Sequence, residues 1–253
     1  FEEILTLQLA VEKNKQFIQR LTSPEVKFNL ERTKEILSSL KFKLTDDQRA
    51  SAWQILQDLE KSEPMNRMLM GDVGSGKTVV AALAALQAIK AGKQVVVLAP
   101  TEVLARQHRK SFAELLAPAG TQVHLLVGSL KPKEKREVLE DIETGKAGLI
   151  VGTHAVLQEK VRFKELALVI VDEQHRFGVN QRKELQKRVK KGNFPHLLTM
   201  TATPIPRSLA LILYGELEQS IIKSKPPGRI EIQTKLIPGA SKQQVWDKMK
   251  EEL

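Results

Sequence analysis

Residues 67–83 read RMLMGDVGSGKTVVAAL, an apolar run that breaks into glycines and turns at once into an alanine-rich helix. Gly71, Gly74, Gly76, Lys77 and Thr78 stand at the offsets of G-x-x-x-x-G-K-[ST]. Glycines let successive backbone N–H groups turn inward with no Cβ in the way. The helix that follows points its positive end at the same spot. Gly71, Asp72, Val73, Gly74, Ser75 and Gly76 thus read as a cradle for phosphates. The Lys77 ammonium can reach β- and γ-phosphates, and the Thr78 hydroxyl can ligate Mg²⁺. The alternative is a strand-to-helix turn with no ligand. Either way, a strand running through a glycine turn into a helix commits the chain to an α/β fold.

The rest of the chain keeps that rhythm. A helix is predicted to about Leu21, SPEV at 23–26 interrupts it, and a second helix covers about Asn29 to Leu40. Thr45 can cap a helix to about Lys61, with Gln48 at its third position. Strand Met68–Met70, helix Thr78–Ala91 closed by Gly92, and the β-branched strand QVVVLAP come next. Thr101 can cap a helix from Glu102 to about Leu116. Strand Val123–Val127, helix Lys133–Glu143, strand GLIVGT, strand Leu168–Val171, a basic helical stretch at 180–191 and strand HLLTMTAT complete the alternation. Continuous apolar strands between amphipathic helices imply a parallel sheet covered on both faces. Apolar residues make up 42% of the 253, with only 4% aromatic, so the core must be large and aliphatic. PPGR at 226–229 is a turn-like break, after which IEIQTKLI and a helix at Lys242–Leu253 read as the start of another domain.

LALVIVDEQH places Asp172 and Glu173 directly after an apolar strand. Ligands of open α/β sheets sit beyond the carboxyl ends of the strands. Asp172 is therefore placed to hold the Mg²⁺ of a nucleotide, and Glu173 to orient and deprotonate a water attacking the γ-phosphate. Solvated carboxylates are the plain alternative, which the phosphate loop in the same chain disfavours. No NKxD-like guanine-reading motif is present, so ATP is favoured over GTP. His175 has no second histidine at ligand spacing, which argues against zinc.

The formal net charge of +10 favours a polyanionic partner. KPKEKR (131–136) and RKELQKRVKK (182–191) read first as solvated helix faces, and as the alternative as cations that hold a nucleic acid non-specifically. No aromatic residues interleave with them, so base stacking is not supported. The chain has no cysteine, which fits a reducing compartment such as the cytoplasm, and no apolar run approaches the length of a membrane span. It starts with Phe1, and we expect it to be a piece of something longer.

GDVGSGKT, APTEVLARQH, VGTHA, DEQHRFGV and TATPIPR occur in this order. Together they resemble motifs I, Ia, Ic, II and III of the superfamily 2 helicases, over about Phe42 to Arg229. DEQHRFGV with TATPIPRSLALILYGELE and PPGR further resembles the RecG family of bacterial branched-DNA helicases. The transcription-repair coupling translocase Mfd is the runner-up; it typically carries DEEHRFGV and lacks a YGELE-type run. The resemblance implies a RecA-like parallel sheet flanked by helices, a P-loop NTPase lobe. It also implies helical linker residues 1–41, a first motor lobe at 42–228 and the start of a second lobe at 229–253. Gln48 resembles the adenine-reading glutamine, Phe42 can stack on the base, and Gln48 can equally close a capping box with Thr45. Thr101, Arg106, Gly128, Ser129, Thr153 and His154 fall where such motors meet the DNA backbone; Thr101 as a plain helix cap and Arg106 as a solvated residue are the alternatives. Thr201 and Thr203 would couple the γ-phosphate to the DNA groove, with Gln174 and His175 as the relay. The implied cofactors are ATP and Mg²⁺. The implied partners are duplex or branched DNA, a second RecA-like lobe and an N-terminal wedge domain. Such a motor is a cytoplasmic monomer, bacterial and nucleoid-associated during repair.

Overall fold

The computed structural model describes residues 5–6, 9, 21–40, 42–172, 194–202, 217–224 and 242–251. Glu173, Gln174, His175, Thr203, the stretch 180–191, PPGR and IEIQTKLI lie outside them, as does nearly all of the first helix.

Seven strands form one sheet: β1 Asn66–Gly71, β2 Gln94–Leu98, β3 Val123–Leu126, β4 Leu149–Gly152, β5 Leu166–Asp172, β6 His196–Thr201 and β7 Glu218–Ile222. Their order is β3-β4-β2-β5-β6-β1-β7, and every pair is parallel. Among the described residues the α-helices are α1 Leu30–Ser39, α2 Asp46–Leu59, α3 Lys77–Lys90, α4 Glu102–Leu116, α5 Pro132–Thr144 and α6 Lys242–Glu251.

Alternation across the strands divides the core between the two faces of the sheet. Val95 and Val97 join a cluster with α2, α3 and α4, whereas Val96 and Leu98 join one with Ile142, Val156 and Phe163 on the other face. The five residues of β2 are all buried, as a central parallel strand requires. Helix α3 is buried nearly all round, from Val79 to Ala88. Its alanines let it lie close between the sheet, α2 and α4. At the end of β4, a Cβ on Gly152 would collide with the Leu126 carbonyl and the Val156 side chain.

The predicted elements between 29 and 172 are all present, with ends shifted by a residue or two. β5 starts two residues earlier than expected and includes Asp172. β7 is an element that sequence patterning did not identify.

Residues 22–29 run extended along the lobe. Val26 N–H donates to Leu59 O at 2.8 Å, Ser23 N–H to Ser62 O at 2.6 Å, and Phe194 N–H to Thr22 O at 2.7 Å. Buried Gln87 on α3 then grips the start of α1: its amide nitrogen donates to Asn29 O at 2.9 Å and to Thr33 Oγ1 at 2.8 Å. The segment expected as linker is thus stitched to the P-loop helix.

Candidate nucleotide and DNA site

The seven described strands are all parallel, so the loops after them open on one edge of the sheet. β1 delivers the phosphate loop there. Gly71 is its last residue, and Gly74 and Gly76 take φ of 76° and 89°. Asp72, Val73 and Gly74 are exposed, Ser75 is buried, and Gly76, Lys77 and Thr78 are half-buried at the mouth of α3. The loop ties itself together: Ser75 N–H donates to Asp72 O at 3.0 Å and Val73 N–H to Asp72 Oδ1 at 2.8 Å. Lys77 Nζ folds back to donate to Gly71 O at 2.6 Å and Asp72 O at 3.1 Å. The ammonium therefore stands over the loop it is expected to serve.

Gln48 forms the loop's floor. Thr45 and Gln48 close the capping box of α2, with Thr45 N–H donating to Gln48 Oε1 at 2.9 Å and Gln48 N–H to Thr45 Oγ1 at 3.3 Å. Gln48 Nε2 also donates to Ser75 O at 2.7 Å, and the residue is 1% exposed. Phe42, just upstream, is 46% exposed. Next to Gln48, Asp47 accepts from Lys223 N–H at 3.0 Å and Ser224 N–H at 2.8 Å, where the chain leaves β7. These bonds, the one from Ser224 first, hold the Asp47 carboxyl below the ordinary carboxylate range.

Asp172 ends β5 opposite Met200, and Thr201 ends β6 opposite Met70. The carboxylate, buried Thr201 and Gly71 therefore step along neighbouring strands at one level. His108 of α4 donates through Nε2 to Asp172 Oδ2 at 2.6 Å. Sequence reasoning passed over His108; the only signal was its place in APTEVLARQH, two helical turns beyond the cap. Thr78 and Asp172 supply hard oxygens at the right edge of the sheet. That donor chemistry fits Mg²⁺, which takes one or two protein oxygens and keeps phosphate and water for the rest.

The candidate DNA residues cluster on the other half of the same edge, after β2, β3 and β4. Thr101 caps α4, accepting from Leu104 N–H at 3.3 Å. Arg106 donates to Ser129 Oγ at 3.2 Å. Glu102 accepts from Ser129 N–H at 3.2 Å and from the Ser129 hydroxyl, and Gly128 packs against the same carboxylate. The Ser129 hydroxyl above all, with its backbone N–H, holds Glu102 below the usual carboxylate range. Thr153 precedes a short 3₁₀ turn at His154–Leu157, half-buried, with His154 exposed. Arg106, Gly128 and Ser129 thus gather about the Glu102 carboxylate, one residue beyond the Thr101 cap. The KPKEKR run is mostly solvent-exposed at the start of α5. Among the described residues no helix is long and apolar enough to cross a membrane.

A phosphate loop, a strand-end carboxylate and a row of strand-end loops on one parallel sheet define a P-loop helicase lobe. The chain belongs to the DEAD/DEAH box helicase family, which matches residues 45–212. Within it the chain is similar to RecG, as its motifs suggested. It is 49% identical over 253 residues to the ATP-dependent DNA helicase RecG of Aquifex aeolicus, covering 100% of this chain and 32% of that protein. The Escherichia coli RecG is 45% identical over 249 residues, 98% of this chain and 36% of that one. A structure of RecG bound to a three-way DNA junction superposes with a TM-score of 0.88 at 40% identity, over 99% of this chain and 33% of that chain. The chain therefore spans about a third of the length of these relatives.

Proposed function

We propose that this chain is the first motor lobe of an ATP-dependent DNA helicase that translocates on duplex DNA and remodels branched substrates. Fork regression and Holliday-junction branch migration are the reactions of that class. The observation that carries the reading is the shared edge: nucleotide residues end β1, β5 and β6, and candidate DNA residues follow β2, β3 and β4.

The loop N–H groups and α3 hold the phosphates of ATP, and Lys77 leaves its carbonyl partners for the β- and γ-phosphates. Gln48 and Phe42 flank the adenine. Thr78 and Asp172 would hold Mg²⁺, which, when bound, neutralises charge on the phosphate oxygens. Glu173 takes the proton of the attacking water. Gln174, His175, Thr201 and Thr203 link that site to the DNA half. Thr101, Arg106, Gly128, Ser129, Thr153 and His154 contact backbone phosphates, which fix position without reading sequence. A phosphate at this corner competes with Glu102 for the Ser129 N–H.

The second lobe closes over the nucleotide and supplies arginines, a contribution of roughly 10³–10⁵ in rate. The isolated chain therefore binds ATP or ADP weakly and turns over very slowly, whereas the full-length protein turns over rapidly when DNA is bound. Comparing ATP-driven strand separation on forked and linear duplexes tests the reading. Preference for the fork supports it, and equal activity on both would reduce the protein to a generic helicase.

A further inference from the structure

His108 connects the two halves of the edge. Helix α4 starts at the Thr101 cap in the DNA half, and its first turn is tied by Glu102 and Arg106 to Ser129 after β3. Seven residues after the cap, roughly 10 Å along the axis, the same helix places His108 against the nucleotide half. β2 and β5 are neighbours, with Leu98 opposite Val171, so the residue after Val171 lies within reach of the helix that follows β2. His108 Nε2 donates to Asp172 Oδ2 at 2.6 Å, and the two side chains are only 13% and 17% exposed. The imidazole leans on fully buried Phe112, with ring centroids 6.4 Å apart. It is held from behind.

A carboxylate has a broad, nearly two-fold torsion about its last bond, so its plane is set by its partners. Fixing Oδ2 also fixes the direction of Oδ1.

We propose that His108 is a positioning residue for the Asp172 carboxylate, and that α4 is the rigid member through which DNA phosphates seated at Thr101, Arg106 and Ser129 set the orientation of that carboxylate. The proposal rests on the reading of Asp172 as a magnesium carboxylate. Hydrogen bonds weaken steeply as they bend, so a small displacement of α4 changes how firmly Oδ2 is held. DNA binding at one end of the helix is thereby felt at the ATP site without any contact between DNA and nucleotide. Partners that orient a metal carboxylate typically contribute 10- to 100-fold in metal affinity.

The test uses the full-length protein with wild-type sequence, His108→Ala, His108→Gln and Asp172→Ala. Mn²⁺ affinity of the ADP complex is read by electron paramagnetic resonance, ADP affinity is read in EDTA, and ATP turnover is compared with and without DNA. His108→Ala is expected to weaken Mn²⁺ about 10- to 100-fold, to leave metal-free ADP affinity within about twofold, and to lower the DNA stimulation ratio. His108→Gln, which keeps a donor amide, restores part of both. Wild-type Mn²⁺ affinity and DNA stimulation in His108→Ala overturn the proposal. So does a loss that follows the melting temperature and is equal in the Ala and Gln variants. If Asp172→Ala itself binds Mn²⁺ like wild type, the reading of Asp172 fails first, and that result is separate from any behaviour of His108.

Discussion

Gln48 and Ser75 are joined by a side-chain amide that donates to a backbone carbonyl at 2.7 Å, making the first turn of α2 and the phosphate loop one unit. Gln48→Ala leaves the buried Ser75 carbonyl and the Thr45 N–H without these partners. An unmade buried hydrogen bond costs about 1–3 kcal/mol, so urea unfolding should show a loss of that order. ADP affinity should fall with it, because the loop loses its floor. An unchanged unfolding midpoint would mean that water replaces the amide at no cost.

Gly76 has a φ of 89°, and a Cβ there would run into Gln48 Nε2. Gly92 has a φ of 75° with open space around it. Alanine at either pays the left-handed strain, and only Gly76→Ala adds a collision. Gly76→Ala should lose clearly more than about 1 kcal/mol and abolish nucleotide binding, while Gly92→Ala loses about that much and still binds. Equal losses and equal affinities would remove the collision from the account.

His196 is fully buried at the start of β6. Its Nδ1 accepts from Met65 N–H and its Nε2 donates to Pro24 O, each at 3.0 Å, which demands a neutral ring. Burial pushes its pKa down to about 4, although the Pro24 carbonyl and Asp58 work the other way. The unfolded chain takes up this proton near pH 6.5 and the folded one only near pH 4, so in between the unfolded state binds more protons. This part of the stability is intact above pH 6.5 and is lost as pH falls towards 4, a total on the order of 3 kcal/mol. His196→Gln should flatten the slope of stability between pH 7 and about 5, whatever it does to the absolute value. A wild-type slope in that variant would assign the pH dependence elsewhere.

Arg67 sits inside β1 with its side chain 7% exposed, facing Asp58 at 2.7 Å, whose side chain is 9% exposed. Glu218 also meets this guanidinium, but from a 64% exposed side chain on β7. Asp58→Ala should cost up to about 3–5 kcal/mol, because it removes the buried partner and leaves the Arg67 charge only the solvent-exposed Glu218 carboxylate. Lys61→Ala should cost under about 1 kcal/mol, because that ammonium bridges to Asp58 from the surface. Chemical denaturation of both variants checks the ratio.

What sequence made legible was local. The glycine turn from β1 into α3, the Thr45–Gln48 capping box and the helix from Glu102 to Leu116 follow from residue types at fixed offsets, and the structure has them. What it hid depends on partners far away in the chain. β7 carries Glu218 and Gln219 in a half-buried pattern and exists as a strand through β1, where Arg67 binds Glu218 and Ser220. A lone arginine in an apolar strand gave no hint of that. The strap at 22–29 looked like linker because its bonds go to residues 59–62, 87 and 194–196. His108 was invisible for the same reason: it lies 64 positions from Asp172.

The phosphate loop carries the whole account. A crystal structure of the protein with a non-hydrolysable ATP analogue and Mg²⁺ tests it most directly. Phosphate oxygens are expected within about 3 Å of the N–H groups of Gly74 to Thr78, with Lys77 moved from Gly71 O onto them and Asp172 facing the metal. An analogue bound elsewhere, or a loop still holding Lys77 against its own carbonyls under saturating ligand, would contradict it.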